Sequence, residues 1–141
     1  MTGERDPVDV FVYGTLTDHA QAARVVSKFE FRGPATLDGL HRVEGEYPTL
    51  APGGEVAGRL LRTTDIEALD AYEGVERGLY VRVSVPWKGP KGNDETEGEV
   101  AVYVGDPDAL GADAAWPGDG TFAERVRRFV RDEGVVARFR K

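Results

Sequence analysis

The chain has 141 residues, 40% apolar and 30% charged, with a net charge of −7, as expected of one soluble folded domain over residues 1–141 with enough chain for a real core. It contains no cysteine, which excludes disulfides, thiolate zinc sites and a cysteine nucleophile. The acidic balance argues against a general nucleic-acid binder. No apolar run approaches a membrane span, and residues 1–7 lack an export signal, so no membrane association and a cytoplasmic address are expected.

Val8, Val10 and Val12 alternate with Asp9, Phe11 and Tyr13, predicting a first strand that stops at Gly14. A helical pattern begins within a few residues. The turn Tyr13-Gly14-Thr15-Leu16 therefore leaves backbone N–H groups that can face a ligand carboxylate or a developing oxyanion; the plainer reading is an ordinary strand-to-helix turn. Asp18 and Gln21 have capping-box spacing, and Ala22, Val25, Val26 and Phe29 follow at helical intervals, so a first helix is predicted to end before Arg32-Gly33-Pro34. A strand over 35–43 follows, with Gly39 as a candidate bulge. Tyr47-Pro48-Thr49-Leu50 reads as a short edge strand, Ala51-Pro52-Gly53-Gly54 as a turn, and residues 55–62 as a strand with Val56, Gly58 and Leu60 on one face.

Thr64-Asp65-Ile66-Glu67 predicts a second capped helix, with Ile66, Leu69 and Tyr72 as its apolar stripe and Gly74 as its stop. Residues 79–87 alternate strongly, placing Val81, Val83, Val85 and Trp87 on one face. A polar connector over 88–98 leads to a strand over 99–104, and the two strands predict a long hairpin. Thr121 and Glu124 open a third helix, with Phe122, Val126, Phe129 and Val130 inward and Gly134 at its end. The sum is an α+β chain of roughly six strands and three helices, its short turns favouring a largely antiparallel, barrel-like sheet over a doubly wound one.

The signals for several chemistries are missing. No glycine-rich phosphate cradle occurs, and Gly89-Pro90-Lys91-Gly92 sits in an acidic hairpin loop. The serines, Ser27 and Ser84, are not in a nucleophile elbow, and His19 and His41 lack metal-ligand spacing. Residues 124–141 hold seven Arg or Lys against three acids; Arg125, Arg127, Arg128 and Arg131 lie off the apolar stripe and read as a solvated face. Glu73 stands out because it ends the second predicted helix, where the dipole disfavours a carboxylate by about 0.3–1 kcal/mol at exposed sites. Partial burial would push its pKa up further and suit a general base. The alternative is a solvated glutamate before a capping glycine.

The pairing of Val10-Phe11-Val12-Tyr13-Gly14-Thr15-Leu16 with Leu69-Asp70-Ala71-Tyr72-Glu73-Gly74 and Tyr80-Val81-Arg82 resembles the γ-glutamyl cyclotransferase-like (AIG2-like) family. Tyr47-Pro48, Val56-Ala57-Gly58 and Val102-Tyr103-Val104 extend the resemblance over roughly residues 8–104. It implies a small mixed barrel with flanking helices and one cavity. It also implies cleavage of a γ-glutamyl amide to 5-oxoproline and a free amine, with Glu73 as general acid and base. Tyr13, Gly14, Thr15 and Leu16 would hold the substrate's α-amino acid end. The expected partner is a small γ-glutamyl substrate, with no cofactor, metal or nucleic acid. Tyr13 either points its ring into the cavity or packs. Tyr80 and Arg82 either line the cavity or face solvent, and Arg82 alternatively pairs with Asp70 as scaffolding. Tyr47 and Tyr103 are read as core, with cavity lining as the second option, and Trp116 as a core anchor. The competing function is a non-catalytic module that binds a small carboxylate. The residues carry no mark of an oligomeric state.

Overall fold

The computed structural model describes residues 6–89 and 95–139. Among them are six strands: β1 (Val8–Val12), β2 (Phe29–Val43), β3 (Thr49–Thr63), β4 (Tyr80–Lys88), β5 (Thr96–Gly105) and β6 (Val136–Phe139). The helices are α1 (His19–Val25), α2 (Ile66–Glu73), α3 (Pro107–Leu110) and α4 (Phe122–Asp132), with a 3-10 turn at Thr15–Thr17. The strands close a barrel in the order β1-β3-β2-β6-β4-β5. The pairs β1–β3, β2–β3, β2–β6 and β4–β5 are antiparallel, and β1–β5 and β4–β6 are parallel. This is the largely antiparallel barrel that the strand pattern predicts, and it is mixed as the family resemblance implies. No helix among the described residues is long and apolar enough to cross a membrane.

The β2–β3 ladder departs most from expectation. The first helix ends at Val25 and does not reach Phe29, because β-branched Val25 and Val26 favour extended backbone. Phe29 and Phe31 then alternate with Glu30 and Arg32, and their rings meet edge to face at 5.6 Å inside β2. Pro34 does not break the strand, since the register shifts between Phe31 and Gly33. The turn expected at Ala51-Pro52-Gly53-Gly54 lies inside β3 instead. Between the pairs Asp38–Glu55 and Leu40–Pro52, Gly39 faces the two residues Gly53 and Gly54, and all three glycines have positive φ. The bulge expected at Gly39 absorbs the turn residues, and the chain reverses earlier, so Tyr47 and Pro48 are loop, not edge strand.

Alternate strand residues sort into two packed clusters, as period-2 side chains must when both faces are covered. Phe11, Leu60, Val83, Val85, Val102 and Val104 join Trp116, Val126 and Val130, which brings in α4. Val10, Val12, Leu61, Ala101 and Tyr103 join Ala22, Val26 and Leu69, which brings in α1 and α2. Gly58 is required by this closeness: a Cβ there would strike the Val12 carbonyl and the Phe11 ring.

The helix caps are realised unevenly. Thr121 and Glu124 form the full capping box of α4, and Asp18 accepts from the Gln21 N–H at the start of α1. The box expected at Thr64 and Glu67 does not form as predicted, because Asp65 is the N-cap and its carboxylate accepts from the Ser27 N–H and hydroxyl at 3.4 Å instead. Buried Thr63 shifts the cap by one residue: its hydroxyl donates to the Lys28 carbonyl at 2.5 Å and accepts the Asp65 N–H at 2.9 Å. The hairpin of β4 and β5 is as expected, while residues 90–94 of its connector, and with them most of Gly89-Pro90-Lys91-Gly92, lie outside the described residues.

Candidate active site

The site grows from the end of β1. Tyr13 donates its hydroxyl to the Tyr103 carbonyl at 2.6 Å, tying the strand end to β5. The chain then turns, and its carbonyls are taken up one after another. Arg42 donates to the Tyr13 carbonyl at 2.9 Å. The Thr17 N–H and hydroxyl reach the Gly14 carbonyl at 3.0 and 2.7 Å, and the Asp18 N–H meets the Thr15 carbonyl at 3.1 Å. Arg59, stacked 3.7 Å over the Phe31 ring, donates to the Thr17 carbonyl at 2.8 Å. Among the described residues, no turn or side-chain acceptor takes up the N–H groups of Gly14, Thr15 or Leu16. They remain available, as the first amides of a helical turn are.

The opposite wall is the end of α2. Glu73 is its last residue, and Gly74 follows in the left-handed conformation at φ 72°. A Cβ on Gly74 would lie 2.9 Å from both Arg77 and Leu79, so the glycine serves both the turn and the packing. Glu73 and the residues Tyr13, Gly14, Thr15 and Leu16 line one cavity of about 320 Å³. That volume suits one small amino acid derivative. Burial pushes the Glu73 carboxyl up to about 7. Around it stand three phenols, all held well above their ordinary pKa by burial, with the Glu73 charge adding to the effect. They remain neutral near pH 7. Tyr80 donates to the Pro48 carbonyl at 2.6 Å, and Tyr103 donates to Asp70 at 2.7 Å.

The structure brings together Glu73, Tyr13, Gly14, Thr15, Leu16 and Tyr80. Arg82 is not in the cavity lining; it pairs with Asp70 at 3.1 Å, the scaffolding alternative. Tyr103 is both buried and cavity-lining. Tyr47 is 58% exposed at the mouth, which corrects its reading as core. Tyr72, expected in an apolar stripe, is 47% exposed on the same rim, its hydroxyl 3.1 Å from that of Thr15. Helical periodicity identified its element but not its direction, because α2 ends against an open cavity and not against the core. Arg77 also lines the cavity; it sits in the short turn after Gly74, where no pattern marks it. Trp116 is buried in the core, as expected. Arg125 is not simply solvated: it donates to the Trp116 carbonyl at 3.0 Å, and Arg128 to the Asp119 carbonyl at 3.1 Å, so part of the basic face secures the loop before α4.

Fold and cavity together describe a small mixed barrel with a single carboxylate opposite a turn of spare amides. The model of the family described as gamma-glutamyl cyclotransferase, AIG2-like, matches residues 10–120, and the chain belongs to that family. It is 28% identical to Protein AIG2 C of Arabidopsis thaliana, over 94% of this chain and 79% of that protein. A solution structure of another Arabidopsis thaliana protein shares 30% identity with a TM-score of 0.56, over 90% of this chain and 88% of that one. A structure described as a gamma-glutamyl cyclotransferase shares the fold at 18% identity and a TM-score of 0.57, covering 92% of this chain and 81% of that one.

Proposed function

We infer that the protein is a γ-glutamyl cyclotransferase-type enzyme that cleaves a γ-glutamyl amide, releasing 5-oxoproline and a free amine. The observation that carries this reading is the shared cavity of Glu73 and the turn at Tyr13, Gly14, Thr15 and Leu16. The reaction needs one base. Glu73 takes a proton as the substrate's α-amine attacks its own γ-carbonyl, closing the five-membered ring. The oxyanion that forms is met by N–H donors of the turn. As the tetrahedral intermediate collapses, the bond to the leaving nitrogen breaks and protonated Glu73 returns its proton there. Atoms balance without water or cofactor. Nucleophile and electrophile share one molecule, and well-oriented intramolecular reactions reach effective molarities of about 10⁵–10⁸ M. A carboxyl with a pKa of about 7 is a stronger base than an ordinary glutamate and still deprotonates near neutrality.

The test is incubation with a panel of γ-glutamyl amines and γ-glutamyl amino acids, monitoring 5-oxoproline. Turnover by the native protein and loss of at least about a thousandfold in Glu73→Gln are expected, a nucleophile-activating base being essential here. Binding without turnover across the panel would leave the carboxylate-binding module as the function.

A further inference from the structure

Asp70 lies one helical turn ahead of Glu73 on α2, and its carboxylate is held twice. The Tyr103 hydroxyl of β5 donates to Oδ1 at 2.7 Å, and the Arg82 guanidinium of β4 meets Oδ2 at 3.1 Å. Arg82 and Tyr103 stand directly opposite each other in the β4–β5 ladder. Both anchors therefore belong to one rigid hairpin. α2 has only eight residues, too few to hold a helix by itself, so tertiary contacts set its pose. The Tyr72–Thr15 contact is on the exposed rim, whereas the Asp70 contacts are partly buried.

We propose that Asp70 is a positioning residue, pinning the last turn of α2 to the β4–β5 hairpin and thereby fixing how deeply Glu73 sits in the cavity. Residues three apart share a helix face, so a lift or rotation at Asp70 carries Glu73 with it. Tyr103 couples the clamp to the rest of the site: its ring lines the cavity, and its carbonyl receives the Tyr13 hydroxyl at 2.6 Å. The groups facing Glu73 are the neutral phenols of Tyr13 just past the end of β1, Tyr80 from β4 and Tyr103 from β5, with Tyr47, Tyr72 and Arg77 elsewhere on the lining. Burial, not a neighbouring charge, raises the Glu73 pKa. Releasing the clamp admits water beside Glu73 and returns its pKa toward the ordinary carboxylate range.

The role of Glu73 as base is assumed from the proposed function, but the clamp is tested without turnover. Carbon-detected NMR titration of side-chain carboxyls, with Glu73 assigned by its loss in Glu73→Gln, reads the group directly. Tyr103→Phe, which removes one hydroxyl and keeps the Asp70 charge, should lower the Glu73 midpoint by at least about one pH unit. Arg82→Met separates position from charge. Losing a cation alone would move the midpoint up, whereas losing the anchor moves it down. With an active substrate, both variants should lose at least about tenfold in kcat with little change in KM, and the acid limb of the rate profile should move to lower pH. Thermal melts confirm folding, and if Arg82→Met fails to fold, Tyr103→Phe alone carries the test. An unmoved midpoint in folded Tyr103→Phe, or an upward shift in Arg82→Met, overturns the proposal. A downward shift in a protein that turns over no γ-glutamyl amide supports the clamp and removes the enzymic reading instead.

Discussion

At the scale of single residues, Glu73 works against the stability of the fold that holds it. Its carboxyl titrates near 7 in the folded protein against an ordinary value of 4.5, so the native state binds the proton more tightly than the unfolded chain. The stability that the protonated form contributes is complete below about pH 4.5 and is lost as pH rises through about 7. Glu73→Gln removes this dependence. The variant and the native protein should melt together near pH 4.5, and the variant should be more stable at pH 8 by on the order of 3 kcal/mol. Thermal melts at the two pH values decide it; equal midpoints at pH 8 would mean that Glu73 is hydrated. The rate should follow the same group in the other direction, rising with pH through about 7 as the base form appears. Gly58→Ala tests a different constraint, the contact with the Val12 carbonyl and the Phe11 ring. It should cost several kcal/mol or prevent folding, by overpacking against backbone. Of these two residues, Glu73 was legible through its motif and helix position. Gly58 showed as a member of a strand face and of the family resemblance, but its contact did not, since the approach of β1 to β3 is set by long-range pairing.

At the scale of elements, strands with alternating apolar residues and helices with strong caps were readable, and interrupted ones were not. The α4 capping box is present as its Thr121–Glu124 spacing implies. Thr121→Ala should lower stability by about 1 kcal/mol, measured by urea unfolding, with no change in cavity chemistry. The α2 cap fell one residue later than predicted, at Asp65, whose N–H bonds the hydroxyl of Thr63, buried at the end of β3, and whose carboxylate bonds Ser27. Tertiary contact overrode a local signal. The same competition explains β3, where Gly53 and Gly54 look like a hairpin turn but face Gly39 in a bulge. A bulge and a turn use the same glycine conformations, so composition cannot separate them; the ladder on both sides does. The β2–β3 arm also does functional service: Arg42 of β2 and Arg59 of β3 brace the carbonyls of the cavity turn. Neither was marked by sequence, because a bracing contact 29 or 42 residues away leaves no local pattern.

At the scale of the molecule, the cavity is a meeting of segments far apart in the chain: the end of β1, the loop at Tyr47 and Pro48, the end of α2, and β4 and β5. Thr49 secures one of these junctions from full burial. Its hydroxyl donates to the Gly105 carbonyl at 3.1 Å and accepts the Gly105 N–H at 2.7 Å. Thr49→Val keeps the shape and removes both bonds, leaving buried backbone groups unpaired. A loss of about 1–3 kcal/mol is expected in chemical unfolding, along with a looser cavity wall at Tyr80. The class of fold was legible because strand count and short connections restrict the options. Closure was expected from the barrel-like strand pattern and the family resemblance, but the parallel pairs that make it, β1–β5 and β4–β6, are announced by no hairpin signal.

The place of β6 in that closure sets an order on biosynthesis. The strand is four residues long and lies between β2 and β4, yet everything that lines the cavity is encoded before it. On a translating ribosome, Glu73 and the turn that faces it emerge first, with the strand edges they depend on still open. Those edges invite pairing with a second nascent chain until Val136 and its neighbours leave the exit tunnel. Chaperone demand should therefore peak after the candidate active-site residues are made and before β6 seals the sheet that carries them.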